Sequence, residues 1–151
     1  MFYIENLFYT FASPKNAFEY EYGYEINEII EGTETAIVLA DETTQIYVKS
    51  EGGWKFPTKK YIKYASYETE GIISIVYGYE STDDNYICIS AGINNELNLS
   101  DNNNSTFICH KDGPFNGKTI VEYYAYIGRM DEDYVITINE VEYKLSEFEV
   151  E

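Results

Sequence analysis

The chain should fold as an all-β or β-dominated α+β protein, an antiparallel β-sandwich or strongly bent sheet with at most one or two short helices. Three observations predict this. β-Branched and aromatic residues gather in short runs, side chains within those runs alternate apolar and polar with period two, and Asp, Asn, Gly and Ser cluster between them. Aromatics make up 17% of the 151 residues, which include 17 tyrosines, so a sheet core has bulky material to bury. That length matches one domain spanning 1–151 with a single core.

The clearest alternation is residues 18–26. On a strand it sets Phe18, Tyr20, Tyr22, Tyr24 and Ile26 on one face and Glu19, Glu21 and Glu25 on the other. Residues 26–32 read as one helical turn closed by Gly32, and 57–64 as a short helix with Pro57 near its first position. Further strands are expected at 35–40, 45–49, 72–79, 86–93, 106–110, 120–127, 134–138 and 141–145. The last two form a hairpin across Asn139-Glu140, a weaker tight-turn pair than Asn-Gly. Turns are expected at 41–44, 51–53, 81–85, 112–117 and 131–133, and the asparagine-biased run 94–105 reads as an exposed, mobile loop. Within Tyr123-Tyr124-Ala125-Tyr126 consecutive side chains face oppositely, so one side of that strand shows tyrosine to solvent or to a second layer.

The second signal is charge. Twenty-seven acids against ten Lys and Arg give a formal net charge of -17. Such chains usually stay unfolded, but here 44% of residues are hydrophobic, enough to drive collapse. The folded surface should therefore attract cations and repel nucleic acid and anionic membranes. The acids come in blocks. Glu19, Glu21, Glu25, Glu28, Glu31 and Glu34 follow one another with no intervening Lys or Arg, and Asp131, Glu132, Asp133, Glu140, Glu142, Glu147, Glu149 and Glu151 share their stretch with Lys144 alone. Half of the basic residues lie in 49–63 among Trp54, Phe56, Tyr61 and Tyr64. That pattern is compatible with a nucleic-acid patch, or with lysines pairing the protein's own carboxylates and covering apolar surface with their stems.

Catalytic and metal chemistry find little footing. His110 is the single histidine and sits at a strand end beside a turn, and no P-loop, nucleophile elbow or dinucleotide fingerprint occurs. Cys88 and Cys109 lie in apolar runs and read as buried thiols, with a disulfide open to them only on neighbouring strands. One histidine and no CxxC exclude the usual zinc spacing, and 83–85 and 131–133 lack the twelve-residue calcium loop. No cofactor or metal is expected. The first residues lack a signal peptide's basic and long apolar regions, and no run reaches the roughly 20 apolar residues of a membrane span, so the chain reads as cytoplasmic.

The leading functional expectation is an acidic, non-catalytic inhibitor or immunity-type protein, of the kind bacteria and phages carry. It would block a basic toxin or nucleic-acid-handling protein, in part by mimicking a polyanion. Its partner-binding residues would be Glu19, Glu21, Glu25, Glu28, Asp131, Glu132, Asp133, Glu147 and Glu149, with Tyr124 and Tyr126 supplying rigid contact area. Residues i and i+2 of a strand stand roughly 6.6 Å apart, so Glu19, Glu21 and Glu25, or Glu147, Glu149 and Glu151, would form acidic ladders. The alternatives are solvated strand faces that discourage edge pairing, a carbohydrate or ligand-binding module stacking on exposed Tyr or Trp54, and an enzyme built around His110 or a carboxylate pair.

Overall fold

The computed structural model describes residues 9–41, 43–58, 61–80, 82–93, 96–115, 117–129 and 131–150. They form three antiparallel sheets and one short α-helix, so the protein is β-dominated as expected. The chain divides into two compact units, Met1–Lys60 and Tyr61–Glu151.

In the first unit, helix α1 (Pro14–Glu21) lies on a sheet of order β1-β2-β3-β4, built from β1 (Ile26–Glu31), β2 (Thr35–Ala40), β3 (Thr44–Ser50) and β4 (Gly53–Lys55). The helix overturns the strand expected at 18–26. Ser13 caps it by accepting from the Asn16 N–H at 3.1 Å, and Pro14 follows in the first turn, where its missing N–H costs nothing. Pro14, Ala17 and Phe18 are buried with helical spacing, and the small side chains of Ala36, Val38 and Ala40 on β2 leave room for them. Helical geometry thus takes only Phe18 of the alternating aromatics fully into the core and leaves Tyr20 54% exposed. The acidic ladder of Glu19, Glu21 and Glu25 does not form: Glu19 and Glu21 sit on the last helical turn and Glu25 precedes β1.

The helical turn expected at 26–32 is instead β1, paired antiparallel with β2 through Ile30↔Ile37 and Ile29↔Val38. Ile26 and Ile29 pack on the apolar cluster beneath α1, a burial that outweighs local helix propensity. In place of the helix expected at 57–64, a strand begins at Tyr61; residues 59 and 60 lie outside the described residues.

The second unit has a six-stranded sheet of order β13-β5-β6-β7-β10-β9, from β5 (Tyr61–Thr69), β6 (Ile72–Tyr79), β7 (Asn85–Ile93), β9 (Ile108–Phe115), β10 (Lys118–Gly128) and β13 (Glu149–Val150). A three-stranded sheet joins β8 (Leu99–Asp101), β11 (Val135–Ile138) and β12 (Val141–Lys144) in the order β12-β11-β8. The core lies between these two layers. Ile87, Ile89, Val121, Ala125 and Ile127 of the large sheet pack with Tyr134, Ile136 and Ile138 of the small one and with Phe148.

Two expected turns change character. The strand β9 runs on through Pro114, which falls in the register irregularity between Phe115 and Asp112 of an edge strand, a place where a sheet tolerates proline. The asparagine run is not loop throughout: it contributes β8, and Asp101 Oδ1 accepts from the backbone N–H of Asn103 (3.1 Å) and Ser105 (2.8 Å). The two cysteines are free, Cys88 buried and Cys109 exposed. They flank β10 on β7 and β9 opposite Tyr124 and Tyr123 respectively, hence on opposite sheet faces and two strand spacings apart, a placement that forbids a disulfide.

Candidate functional site

Four of the residues singled out in the sequence meet in the second unit. Tyr126, Asp131, Glu132 and Asp133 line a cleft of about 740 Å³, together with Asn102, Asn103, Arg129 and Tyr134. Two features of the chain build it. A bulge between Tyr126 and Gly128 ends the regular β10 ladder, and Gly128 adopts φ 71°, a turn of the chain just before Arg129. The Asp131 side chain then closes its own turn by accepting from the Asp133 N–H at 2.9 Å.

Most hydrogen-bonding capacity in the cleft wall is already committed. Asn102 donates to the Asp133 carbonyl at 2.8 Å and accepts from the Val135 N–H at 3.0 Å, and Asn103 donates to the Ile127 carbonyl at 3.1 Å. The Tyr126 hydroxyl donates to Asp84 Oδ1 at 2.9 Å, where Asp84 is fully buried. The Tyr134 hydroxyl donates to Asp101 Oδ2 at 3.0 Å; burial first, and then the Asp101 charge, push its pKa well above the ordinary tyrosine value. What the rim presents outward is therefore the exposed Arg129 guanidinium and the exposed carboxylates of Glu132 and Asp133. A rim of that kind attracts a cation or an ion-paired side chain and offers no neutral donor array for a sugar.

A second, smaller groove of about 420 Å³ brings together Glu147 and Glu149 with Glu68, Tyr67, Ile73 and Ile75. The ladder expected of Glu147, Glu149 and Glu151 is not a strand ladder. Glu147 ends a single 3-10 turn (Leu145–Glu147), Glu149 lies on β13 opposite Ser66, and Glu151 lies outside the described residues. Glu147 Oε2 also accepts from the Lys144 N–H at 2.8 Å, which locks that turn.

Tyr124 belongs to a different environment, on the large-sheet face that also carries Tyr86, Cys88 and His110. Its hydroxyl (3.3 Å) and the Cys88 thiol (3.5 Å) both donate to Glu122 Oε2, and its ring meets the His110 ring edge-on at 6.2 Å. Burial, and next the Glu122 charge, raise the Cys88 thiol far above its ordinary pKa, so it is held as the neutral, poorly nucleophilic form. His110 is only 3% exposed and lies inside β9, not at a strand end beside a turn. Sequence reading missed Glu122, which stands across the strands from both His110 and Ser90. Only the register of three strands reveals that meeting.

In the first unit, Glu19, Glu25 and Glu28 are exposed and Glu21 half-buried. Trp54 is 7% and Phe56 2% exposed, so neither serves as a stacking platform for a carbohydrate or a nucleic-acid base. Among the described residues no group of His, Cys, Asp and Glu has the geometry to hold a metal, and no helix is long and apolar enough to cross a membrane. No protein-family model, no curated protein and no solved structure matches the chain.

Proposed function

We propose that this protein is a non-catalytic, acidic binding protein that docks on a basic partner, a toxin or a nucleic-acid-handling protein, and blocks it. One observation carries the reading. Of the nine acids singled out for a partner, eight are exposed and Glu21 is half-buried, all on or beside regular elements, and among the described residues no lysine or arginine pairs with them. Fixed, uncompensated carboxylates raise the encounter rate with a cationic surface and select it over neutral ones. The Tyr126–Asp131–Glu132–Asp133 cleft supports the same reading, because its neutral groups are spent internally and its charges face out. Blocking rather than turnover fits the Cys88 thiol and the Tyr124 hydroxyl, which are both bonded to one Glu122 oxygen.

The test is capture on immobilised protein from host lysate at low salt, followed by titration of the purified captured partner with the free protein. The expected result is a basic partner inhibited at one-to-one stoichiometry, with affinity falling at least about tenfold as salt rises from about 50 to about 500 mM, because exposed charges are screened over a shorter length. Inhibition whose affinity ignores salt, or a captured partner with no basic face, overturns the proposal.

A further inference from the structure

The groove of about 420 Å³ beside the last strand differs from the cleft in having an aliphatic floor. Strand register builds it. Glu149 stands opposite Ser66 and Ser66 opposite Ile75, while Glu68 stands opposite Ile73, so these two rows share the face of β5 and β6 that turns away from buried Ala65 and Val76. Ile73 is 38% exposed, aliphatic surface set among charges. The strand β13 pairs with β5 over two residues only, and the chain before it leaves the ladder as the 3-10 turn that ends at Glu147, which brings a third carboxylate to the same space.

That space is open, and its charges are unmet. Glu68, Glu147 and Glu149 are all exposed. The bond that Glu147 Oε2 accepts comes from the backbone N–H of Lys144, not from its ammonium, and among the described residues no lysine or arginine pairs with any of the three carboxylates. Glu149 and Glu68 lie diagonally across neighbouring strands, a backbone separation of about 7–8 Å that two flexible side chains can close onto one small cation. Three like charges around one groove repel one another, and a single cation placed among them relieves all three.

We propose that this groove is the seat for a lysine side chain of the basic protein partner, its methylene stem lying along Ile73 and Ile75 and its ammonium held among Glu68, Glu147 and Glu149. The carboxylates call for a cation, and the floor selects its kind. An unbranched aliphatic stem buries itself on aliphatic surface, while a compact ammonium with three donors can be shared by several carboxylates. A guanidinium gains most where it stacks on an aromatic face, but the ring of Tyr67 at the groove wall is spent on Tyr143 at 5.1 Å and on Phe148 at 5.6 Å. The proposal rests on the basic-partner reading above and adds to it which side chain is read, and where.

The experiment uses the full chain with carbon-labelled isoleucine methyls and three probes at low salt: fluorescent tetra-lysine and tetra-arginine peptides, and spermidine as a free amine. Tetra-lysine should shift the Ile73 methyl signal, identified by its loss in I73T, and should bind more tightly than tetra-arginine. E68Q/E149Q should lose about fivefold in affinity for tetra-lysine, the order expected for two exposed ion pairs, whereas E31Q/E51Q, which removes the same charge from exposed positions in the first unit, should lose less than about twofold. I73T leaves the charge unchanged and should lose about twofold or more, because the stem then covers less aliphatic surface. Equal losses in the two glutamine variants, an Ile73 methyl that tetra-lysine leaves unmoved, or tighter binding of tetra-arginine each overturn the groove while leaving a generally cation-binding surface standing. Spermidine shifting that methyl where tetra-lysine does not overturns a protein side chain as the occupant. Failure of both peptides to bind overturns the groove and the basic-partner reading together.

Discussion

Tyr47 carries its ring into the apolar cluster beneath α1, against Phe56 at 5.9 Å, and is 1% exposed, but its hydroxyl is buried without a hydrogen-bond partner. A buried donor left unmade costs on the order of 1–3 kcal/mol, because water solvated it in the unfolded chain. Replacing Tyr47 by Phe keeps the ring and removes the unmet group. Y47F should therefore be at least as stable as the native protein at neutral pH, by up to about 1 kcal/mol in denaturant titration. A loss larger than about 1 kcal/mol would mean that the hydroxyl has a partner after all. Contrast Tyr134, whose equally buried hydroxyl donates to Asp101; removing that group strands an acceptor instead of relieving a donor. Two tyrosines that look alike in the sequence thus differ in the sign of the same substitution, and only the neighbours tell them apart.

At the scale of elements, legibility followed how local the deciding force was. The strands at 35–40 and 72–79 are where the β-branched runs place them, because those segments are buried on both faces or alternate cleanly. Alternation misled at 18–26, where the Ser13-Pro14 start signal and the small residues of β2 select a helix. The strands β8 and β13 are three and two residues long and owe their existence to partners distant in the chain, β11 and β5, so no local pattern announces them. The same holds for the cleft: Asp131, Glu132, Asp133 and Tyr126 were legible as chemistry, while Arg129, Asn102 and Asn103 join them only through the bulge at the end of β10 and the contact between β8 and β11.

The hairpin across Asn139-Glu140 was legible in place and in the weakness of its turn pair, but not in how that weakness is offset. Both turn residues adopt positive φ, 50° and 71°, the mirror-type geometry that matches strand twist but penalises a side chain such as glutamate. Asn139 compensates by clamping the turn to Asn98: its N–H donates to the Asn98 carbonyl, and its side-chain oxygen accepts from the Asn98 N–H, both at 2.9 Å. Glu140 has no such device. The hairpin between β5 and β6 meets the same geometry with Glu70-Gly71, glycine standing at the second position. E140G should accordingly raise stability by about 0.5–1 kcal/mol in thermal or denaturant unfolding. A decrease would show that the glutamate side chain contributes something that outweighs its backbone strain.

Across the whole molecule the tyrosines that build both units also set its response to pH. Burial is the first cause that raises the pKa of Tyr22 and Tyr47 in the first unit and of Tyr123 and Tyr134 in the second, and neighbouring acidic groups push the same way: Glu21, Cys109 and Glu96, and Asp101. A group whose folded pKa lies above its unfolded value binds its proton more tightly in the native state, so its contribution is fully present below the unfolded pKa near 10 and is lost as pH rises through the folded one. For Tyr22 that window runs from about 10 to about 12. Several such groups act together, and each ionisation adds charge to a chain already at -17, so repulsion among like charges steepens the fall. Thermal midpoints measured from pH 7 to 11.5 should stay nearly level to about pH 9 and then drop sharply, with Y47F dropping less because one titrating phenol is gone. A midpoint that holds steady through pH 11, or a Y47F curve parallel to the native one throughout the alkaline limb, would refute the claim that buried tyrosine protons help hold this acidic protein together.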